Sequence, residues 1–210
     1  MISRLGVFGG MFDPVHNGHI EAARHARDLL SLDLVKLIPC NIPNHKMRSH
    51  ASAEHRLALL EIAIEDESGI EVDDIELQKS SVSYSVKTLR AIKAQKLARS
   101  ITFILGMDSF NSITSWFDWE ELFSICSFFV LGRSGLSVDR EISESMQLGK
   151  RLTDNIPEFY SESAGKVFIA SNFSIDLSST SVRAKLNADL GMDNCLKREV
   201  FDYIADKNLY

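Results

Sequence analysis

Runs of apolar, β-branched and aromatic residues alternate along the chain with stretches in which apolar positions recur every three to four residues. Leu5–Gly9, Leu34–Pro39, Ile101–Leu105, Ser127–Leu131 and Val167–Ala170 are short and nearly continuously apolar. That is the pattern of strands covered on both faces. Ile70–Leu77 predicts a weaker strand with acidic residues inside it. Between these runs the helical period predicts Ile20–Leu30, with Ile20, Ala23, Ala26 and Leu30 on one face, and Glu54–Glu65, with Leu57, Leu60 and Ile64. It also predicts Ser83–Gln95, with Val86, Leu89 and Ile92 inward and the preceding serines able to cap. Two helix patterns, Ser181–Leu190 and Leu196–Lys207, close the chain.

Regular β-α alternation predicts an α/β fold, a Rossmann-like doubly wound parallel sheet with helices on both faces and right-handed crossovers. No Gly/Ser/Pro-rich linker divides the 210 residues, so a single domain over 1–210 is expected. The segment 134–163 stands apart as polar and charged, with one amphipathic pattern through Ile142, Met146 and Leu152. It reads equally as a variable excursion or lid and as a surface helix with no role.

The net charge of −6 argues against nucleic acid as a partner, which calls for a broad basic surface. Any phosphate must be met locally by a few inward basic groups. The longest apolar run, around Ile125 to Leu131, is far too short to cross a membrane, and no signal peptide is expected at a start that leads directly into a strand. Cys40, Cys126 and Cys195 are scattered, odd in number and without metal spacing, which suits a reducing, cytoplasmic setting. Monomer and homo-oligomer remain equally open.

The candidate chemistry begins after the first strand, in Gly9-Gly10-Met11-Phe12-Asp13-Pro14-Val15-His16-Asn17-Gly18-His19. Two glycines let backbone approach a ligand closely, and the following helix opens with unpaired N–H groups, which together make an anion site. His16 and His19, three apart at the helix start, face one point and can donate to phosphate oxygens. The spacing is neither GxGxxG nor GxxxxGK[ST], which argues against a dinucleotide-binding dehydrogenase and a P-loop enzyme. A His-x-x-His pair can be half of a zinc site, but no further Cys/His cluster accompanies it, so no protein-bound metal is assigned. Asp13 is either a water-mediated metal ligand or the residue that fixes the turn. A second cluster, Leu177-Ser178-Ser179-Thr180-Ser181-Val182-Arg183, places hydroxyls, helix-start N–H groups and a guanidinium around one anion. A plain helix cap is the bland alternative. An Arg in a first turn opposes the helix dipole unless an anion lies nearby.

The long glycine-histidine motif resembles the signature of the nucleotidyltransferase superfamily and, more narrowly, of the bacterial nicotinate-nucleotide adenylyltransferases. The resemblance extends over nearly the whole chain and is weakest in 134–163. It implies the nucleotidyltransferase fold and transfer of an adenylyl group from ATP to nicotinate mononucleotide, giving deamido-NAD and pyrophosphate in NAD biosynthesis. Mg²⁺ is implied as a cofactor bound mainly through ATP. Gly9, Gly10, Met11, Phe12, His16, His19, Gly106, Asp108, Ser178, Ser179 and Arg183 are then expected at ATP, with His16, His19, Lys46 and Arg183 as the catalytic set.

Ile42-Pro43-Asn44-His45-Lys46 resembles the family's Pro-Pro-His-Lys segment, which puts Lys46 at the phosphates. Arg56 matches a helix arginine of the family, although a surface or interhelical ion pair explains it as well. Ser83-Tyr84-Ser85 resembles Ser-Tyr-Thr, whose backbone meets the pyridine carboxylate. Gly106-Met107-Asp108-Ser109 and Trp116-Phe117-Asp118-Trp119 resemble two further landmarks, giving Asp108 to ribose hydroxyls and Trp116 to stacking on the pyridine ring. Trp119 reads as core. Arg133 resembles the family's Arg-Pro-Gly arginine and reads either as a substrate contact or as a surface ion pair. The substrate set is thus Lys46, Tyr84, Ser85, Asp108, Trp116, Phe117 and Arg133. Met11 stands where the family has Thr or Ser, and Phe117 where it has a polar-tipped residue. These departures leave the choice between carboxylate and amide open.

Overall fold

The computed structural model describes residues 2–43, 49–79, 81–132, 136–173, 177–188, 191–192 and 194–210. The strands are β1 (Ile2–Gly10), β2 (Leu34–Pro39), β3 (Ile42–Pro43), β4 (Ile70–Val72), β5 (Val82–Ser83), β6 (Ala98–Gly106), β7 (Ser127–Leu131) and β8 (Val167–Ala170). The helices are α1 (Asn17–Leu30), α2 (Ala53–Ile64), α3 (Ser85–Ala94), α4 (Met107–Phe110), α5 (Trp119–Ile125), α6 (Arg140–Ser145), α7 (Ile156–Phe159), α8 (Ser179–Asn187) and α9 (Arg198–Asp206).

The main sheet runs β4-β2-β1-β6-β7-β8, and every adjacent pair is parallel. Its central strands are buried on both faces, as their apolar runs demand. Leu5 and Val7 of β1, Phe103 and Leu105 of β6, and Phe128 and Val130 of β7 pack to one side with Val86, Leu89 and Ile92 of α3. Phe8, Ile104, Phe129 and Leu131 point the other way and join Ala23, Ala26 and Leu30 of α1, Leu59 and Leu60 of α2, and Val200 and Ile204 of α9. Each of the larger side chains among them stabilises the fold by ~1.5–3 kcal/mol relative to exposure. The order of connection reverses between β1 and β6, so a crevice opens beyond their carboxyl ends.

Four expectations are corrected. The acidic stretch is a strand only over Ile70–Val72. Asp73 then accepts from the Ile75 N–H at 3.1 Å and turns the chain. α2 buries Arg56, Leu59, Leu60 and Ala63, not the stripe through Leu57 and Ile64; apolar residues ring this helix, so their period does not choose a face. α3 starts at Ser85 with Tyr84 at its N-cap and no capping hydroxyl. Ser83 instead lies in β5, which pairs with β3 in a separate two-stranded ladder, and its hydroxyl accepts from the Asn41 N–H at 3.2 Å. Residues 136–163 carry α6, a 3₁₀ turn and α7 instead of one amphipathic helix. Met146, Leu148 and Phe159 are buried there, whereas Leu152 is 46% exposed.

Candidate active site

β1 delivers Gly9 and Gly10 to the crevice. A Cβ on Gly10 would meet the Phe12 ring at 3.1 Å, so this position must be bare for the ring to fold back beneath it. Phe12 takes φ 49 and is 1% exposed. Left-handed backbone at a bulky residue is strained and persists only where packing over-determines it. Here the Phe12 ring stands edge-on to Phe8 at 5.8 Å and to His19 at 4.9 Å. Its side chain therefore supports the imidazole, and what it offers a ligand is backbone.

His16 is the N-cap of α1, and its N–H donates to Nδ1 of His19 at 3.2 Å. In the neutral ring Nε2 of His19 then carries the proton. The two imidazoles stack with centroids 3.7 Å apart. Both ring nitrogens of His16 are buried without a partner among the described residues, a costly condition that an incoming ligand or water would relieve. Burial pushes His16 down to about 4. Burial and the adjacent His16 ring hold His19 well below the ordinary imidazole value. Both rings are thus neutral at pH 7.

The loop backbone is held from outside. Arg56, 1% exposed, donates Nη1 to the Met11 carbonyl at 2.8 Å. It is neither at the surface nor in an ion pair among the described residues, so both readings of it as a paired or surface residue are corrected. Asp13 is the anchor of the turn: it accepts from the His50 N–H (2.8 Å), the Ala51 N–H (3.1 Å) and the Tyr210 hydroxyl (2.9 Å). Burial alone would raise its carboxyl, but these donors outweigh burial and hold it below the ordinary carboxylate value.

α8 opens onto the same place. Ser178 is its N-cap: the Ser178 hydroxyl accepts from the Ser181 N–H and the Ser181 hydroxyl from the Ser178 N–H, each at 3.1 Å. The Ser179 hydroxyl donates to the Pro14 carbonyl at 2.9 Å. The serine hydroxyls thus close the cap and join the two loops, leaving the first backbone N–H groups of α8 for an anion. Because the helix begins at Ser179, Arg183 lies in its second turn and not its first, so the expected conflict with the dipole is removed. The Arg183 guanidinium instead reaches the Asp13 carbonyl and the Thr180 hydroxyl.

One cavity of about 800 Å³ is lined by Gly9, Gly10, Met11, Phe12, His16, His19, Ser178, Ser179 and Arg183, and also by Tyr84, Ser85, Gly106, Asp108, Trp116 and Phe117. A Cβ on Gly106 would meet nothing within 4 Å, so the end of β6 is an open shelf. Trp116 donates Nε1 to the Ser112 hydroxyl at 3.3 Å and leans edge-on against Phe103. Phe117 is 47% exposed and packs at 4.9 Å on Tyr84, with the Lys87 ammonium 4.7 Å from the Tyr84 ring. Trp119 packs against the core beside Phe123. Lys46 and Arg133 lie outside the described residues. None of the described residues of 136–163 lines the cavity. Ser49 and His50 do, and no spacing in the sequence marks them. Among the described residues no three His, Cys, Asp or Glu side chains converge as a metal cage, and no helix is long and apolar enough to cross a membrane.

A doubly wound sheet with a phosphate-type cradle after its first strand and a second helix opening facing it defines the nucleotidyltransferase class, and the family model described as cytidylyltransferase-like matches residues 7–185. A probable nicotinate-nucleotide adenylyltransferase of Shewanella pealeana is 36% identical over 207 residues, covering 99% of this chain and 95% of the relative. That of Pseudoalteromonas atlantica is 34% identical, covering 98% and 94%. The chain belongs to the nicotinate-nucleotide adenylyltransferase family. Its fold is also that of the Plasmodium falciparum nicotinic acid mononucleotide adenylyltransferase complexed with NaAD, with a TM-score of 0.73 at 19% identity over 98% of this chain and 96% of that one.

Proposed function

We propose that this protein transfers the adenylyl group of ATP to nicotinate mononucleotide, giving deamido-NAD and pyrophosphate, as a cytoplasmic step of NAD biosynthesis. The observation that carries the reading is the junction of the two helix openings: Ser179 to Pro14 and Arg183 to Asp13 bring the imidazole pair and the start of α8 to one cavity.

The acceptor's phosphate oxygen attacks the α-phosphorus of ATP in line. A new P–O bond forms, the bond to the β-phosphate bridging oxygen breaks, and pyrophosphate departs with that electron pair. The nucleophile is already ionised near neutral pH, so no general base is required. Catalysis then consists of positioning and neutralising developing charge. The neutral His19 donates Nε2–H to the α-phosphate, and His16 supplies a second donor. The free N–H groups of α8, with Arg183, hold the β- and γ-phosphates. Gly9, Gly10 and Met11 present backbone, and Gly106 with Asp108 receives the ribose. Lys46 is assigned to phosphate by resemblance alone, and Arg133 to the substrate by its place at the end of the fifth predicted strand. The α3 opening at Tyr84–Ser85 meets the pyridine carboxylate, and Trp116 with Phe117 flanks the ring.

Both Asp13 oxygens are engaged by protein donors, so the described residues build no resident metal centre. Mg²⁺ belongs to this reading as part of the MgATP substrate, chelated by the triphosphate. The test is pyrophosphate release from ATP with nicotinate mononucleotide, nicotinamide mononucleotide and phosphopantetheine in parallel. Turnover with the first, at the highest kcat/KM, is expected. Turnover with another acceptor alone overturns the assignment.

A further inference from the structure

We infer that the Tyr210 hydroxyl is a positioning group for the phosphate-binding loop, acting through Asp13 without touching substrate; the inference rests on the adenylyl-transfer reading of the same cavity. The local sequence explains how Tyr210 arrives there. α9 ends in a Schellman turn: Asn208 takes φ 51, its N–H donates to the Ala205 carbonyl at 3.2 Å, and the Leu209 N–H donates to the Ile204 carbonyl at 3.0 Å. Asn tolerates this left-handed position, and the reversal turns Leu209 and Tyr210 back onto the hydrophobic cluster beneath α1. The Tyr210 ring is packed and its hydroxyl lies 2.9 Å from Oδ1 of Asp13.

Asp13 is 5% exposed. Its other donors, the backbone of His50 and Ala51 and the His50 ring at 3.1 Å, all come from one neighbouring segment. Tyr210 is the donor from outside that segment, 197 residues away in sequence, and it shares Oδ1 with the Ala51 N–H. Asp13 is also the residue whose carbonyl receives Arg183, next to the Pro14 carbonyl that receives Ser179 and three residues before the N-cap His16. A carboxylate held by two separate segments of the chain fixes this peptide; held by one, it can tilt and carry the Arg183 seat and the α1 opening with it. Misplacement by ~1 Å at such a site can cost ~10²-fold in rate. Because three donors remain without the hydroxyl, the fold persists.

The test compares Tyr210→Phe, which keeps the ring, with Leu209→Ala, which removes packing next door. Four quantities are read for each: kcat, the KM of each substrate, the calorimetric Kd for ATP, and Tm. Tyr210→Phe is expected to lower kcat and weaken ATP binding about ten-fold or more, the loss of one hydrogen bond to a charged group, while the KM for nicotinate mononucleotide stays unchanged. Leu209→Ala is expected to lower Tm with kcat and ATP Kd as in the wild type. The inference is overturned if Tyr210→Phe keeps wild-type kcat and ATP Kd. It is also overturned if Leu209→Ala loses activity in the same proportion to its loss of Tm. Should the wild type release no pyrophosphate with nicotinate mononucleotide, the proposed function fails. The ATP Kd of Tyr210→Phe against the wild type then decides the role of Tyr210 by itself.

Discussion

The Ser179 hydroxyl donates to the Pro14 carbonyl at 2.9 Å across 165 residues of sequence, and this bond ties the opening of α8 to the loop before α1. Ser179→Ala removes the tie without adding bulk. We expect a loss of ~1 kcal/mol of stability, with a several-fold higher KM for ATP and an unchanged KM for the pyridine nucleotide. Steady-state kinetics with each substrate varied in turn checks the split; equal effects on both KM values would show that the bond does not orient the ATP end.

In the proposed reaction His19 is the donor aimed at the reacting phosphate. His19→Ala is expected to lower kcat by ~10²-fold or more while the protein folds normally, because a preorganised donor to developing charge is lost. Circular dichroism establishes folding, and a variant with full kcat removes the role.

The two imidazoles also predict a pH dependence of stability. His16 falls to about 4 in the folded protein, and His19 is likewise depressed, against an ordinary value of 6.5. Between those values the unfolded chain binds more protons than the native one, so stability rises with pH and is lost as pH falls from 6.5 toward 4. Each histidine contributes a slope of up to ~1.4 kcal/mol per pH unit in that window. Urea denaturation along a pH series should show it, and His16→Asn should flatten the curve; a variant as steep as the wild type refutes the assignment.

The fold was readable where one physical rule dominated. Buried parallel strands need apolar residues on both faces, and the runs of β2, β7 and β8 coincide with the observed strands. The β3–β5 ladder is two residues long on each side and has no period to detect. The α8 start was misplaced because Ser178 and Ser181 cap each other, a reciprocity that a row of hydroxyls does not reveal. The glycine-histidine loop announced itself, but its supports did not. Arg56, His50 and Tyr210 meet the loop from 37 to 197 residues away, through contacts that only the tertiary fold creates.

Arg56 gives a prediction of its own. It is buried with Nε unpartnered among the described residues and Nη1 on the Met11 carbonyl. Arg56→Met removes the charge and leaves that carbonyl unsatisfied, which should cost ~1–3 kcal/mol of stability and weaken ATP binding. Thermal melts with and without ATP measure both effects; an ATP-induced rise in Tm equal to that of the wild type would limit Arg56 to a structural role.

Trp116 leans on Phe103 by its edge and lines the cavity. Trp116→Ala should raise the KM for nicotinate mononucleotide by the loss of ~1 kcal/mol of stacking, about five-fold, and leave the KM for ATP alone. An unchanged KM for the pyridine nucleotide returns this side chain to a packing role.

The seam between the α1 and α8 openings has a consequence for selectivity among anions. Each opening offers only a few donors, and the imidazoles carry no charge at rest, so orthophosphate or sulfate can occupy one half at a time with little gain. A polyphosphate chain long enough to bridge both halves makes its second attachment at a high effective concentration, as a chelate does. On the proposed reading the cavity therefore discriminates among anions by the length of their phosphate chain.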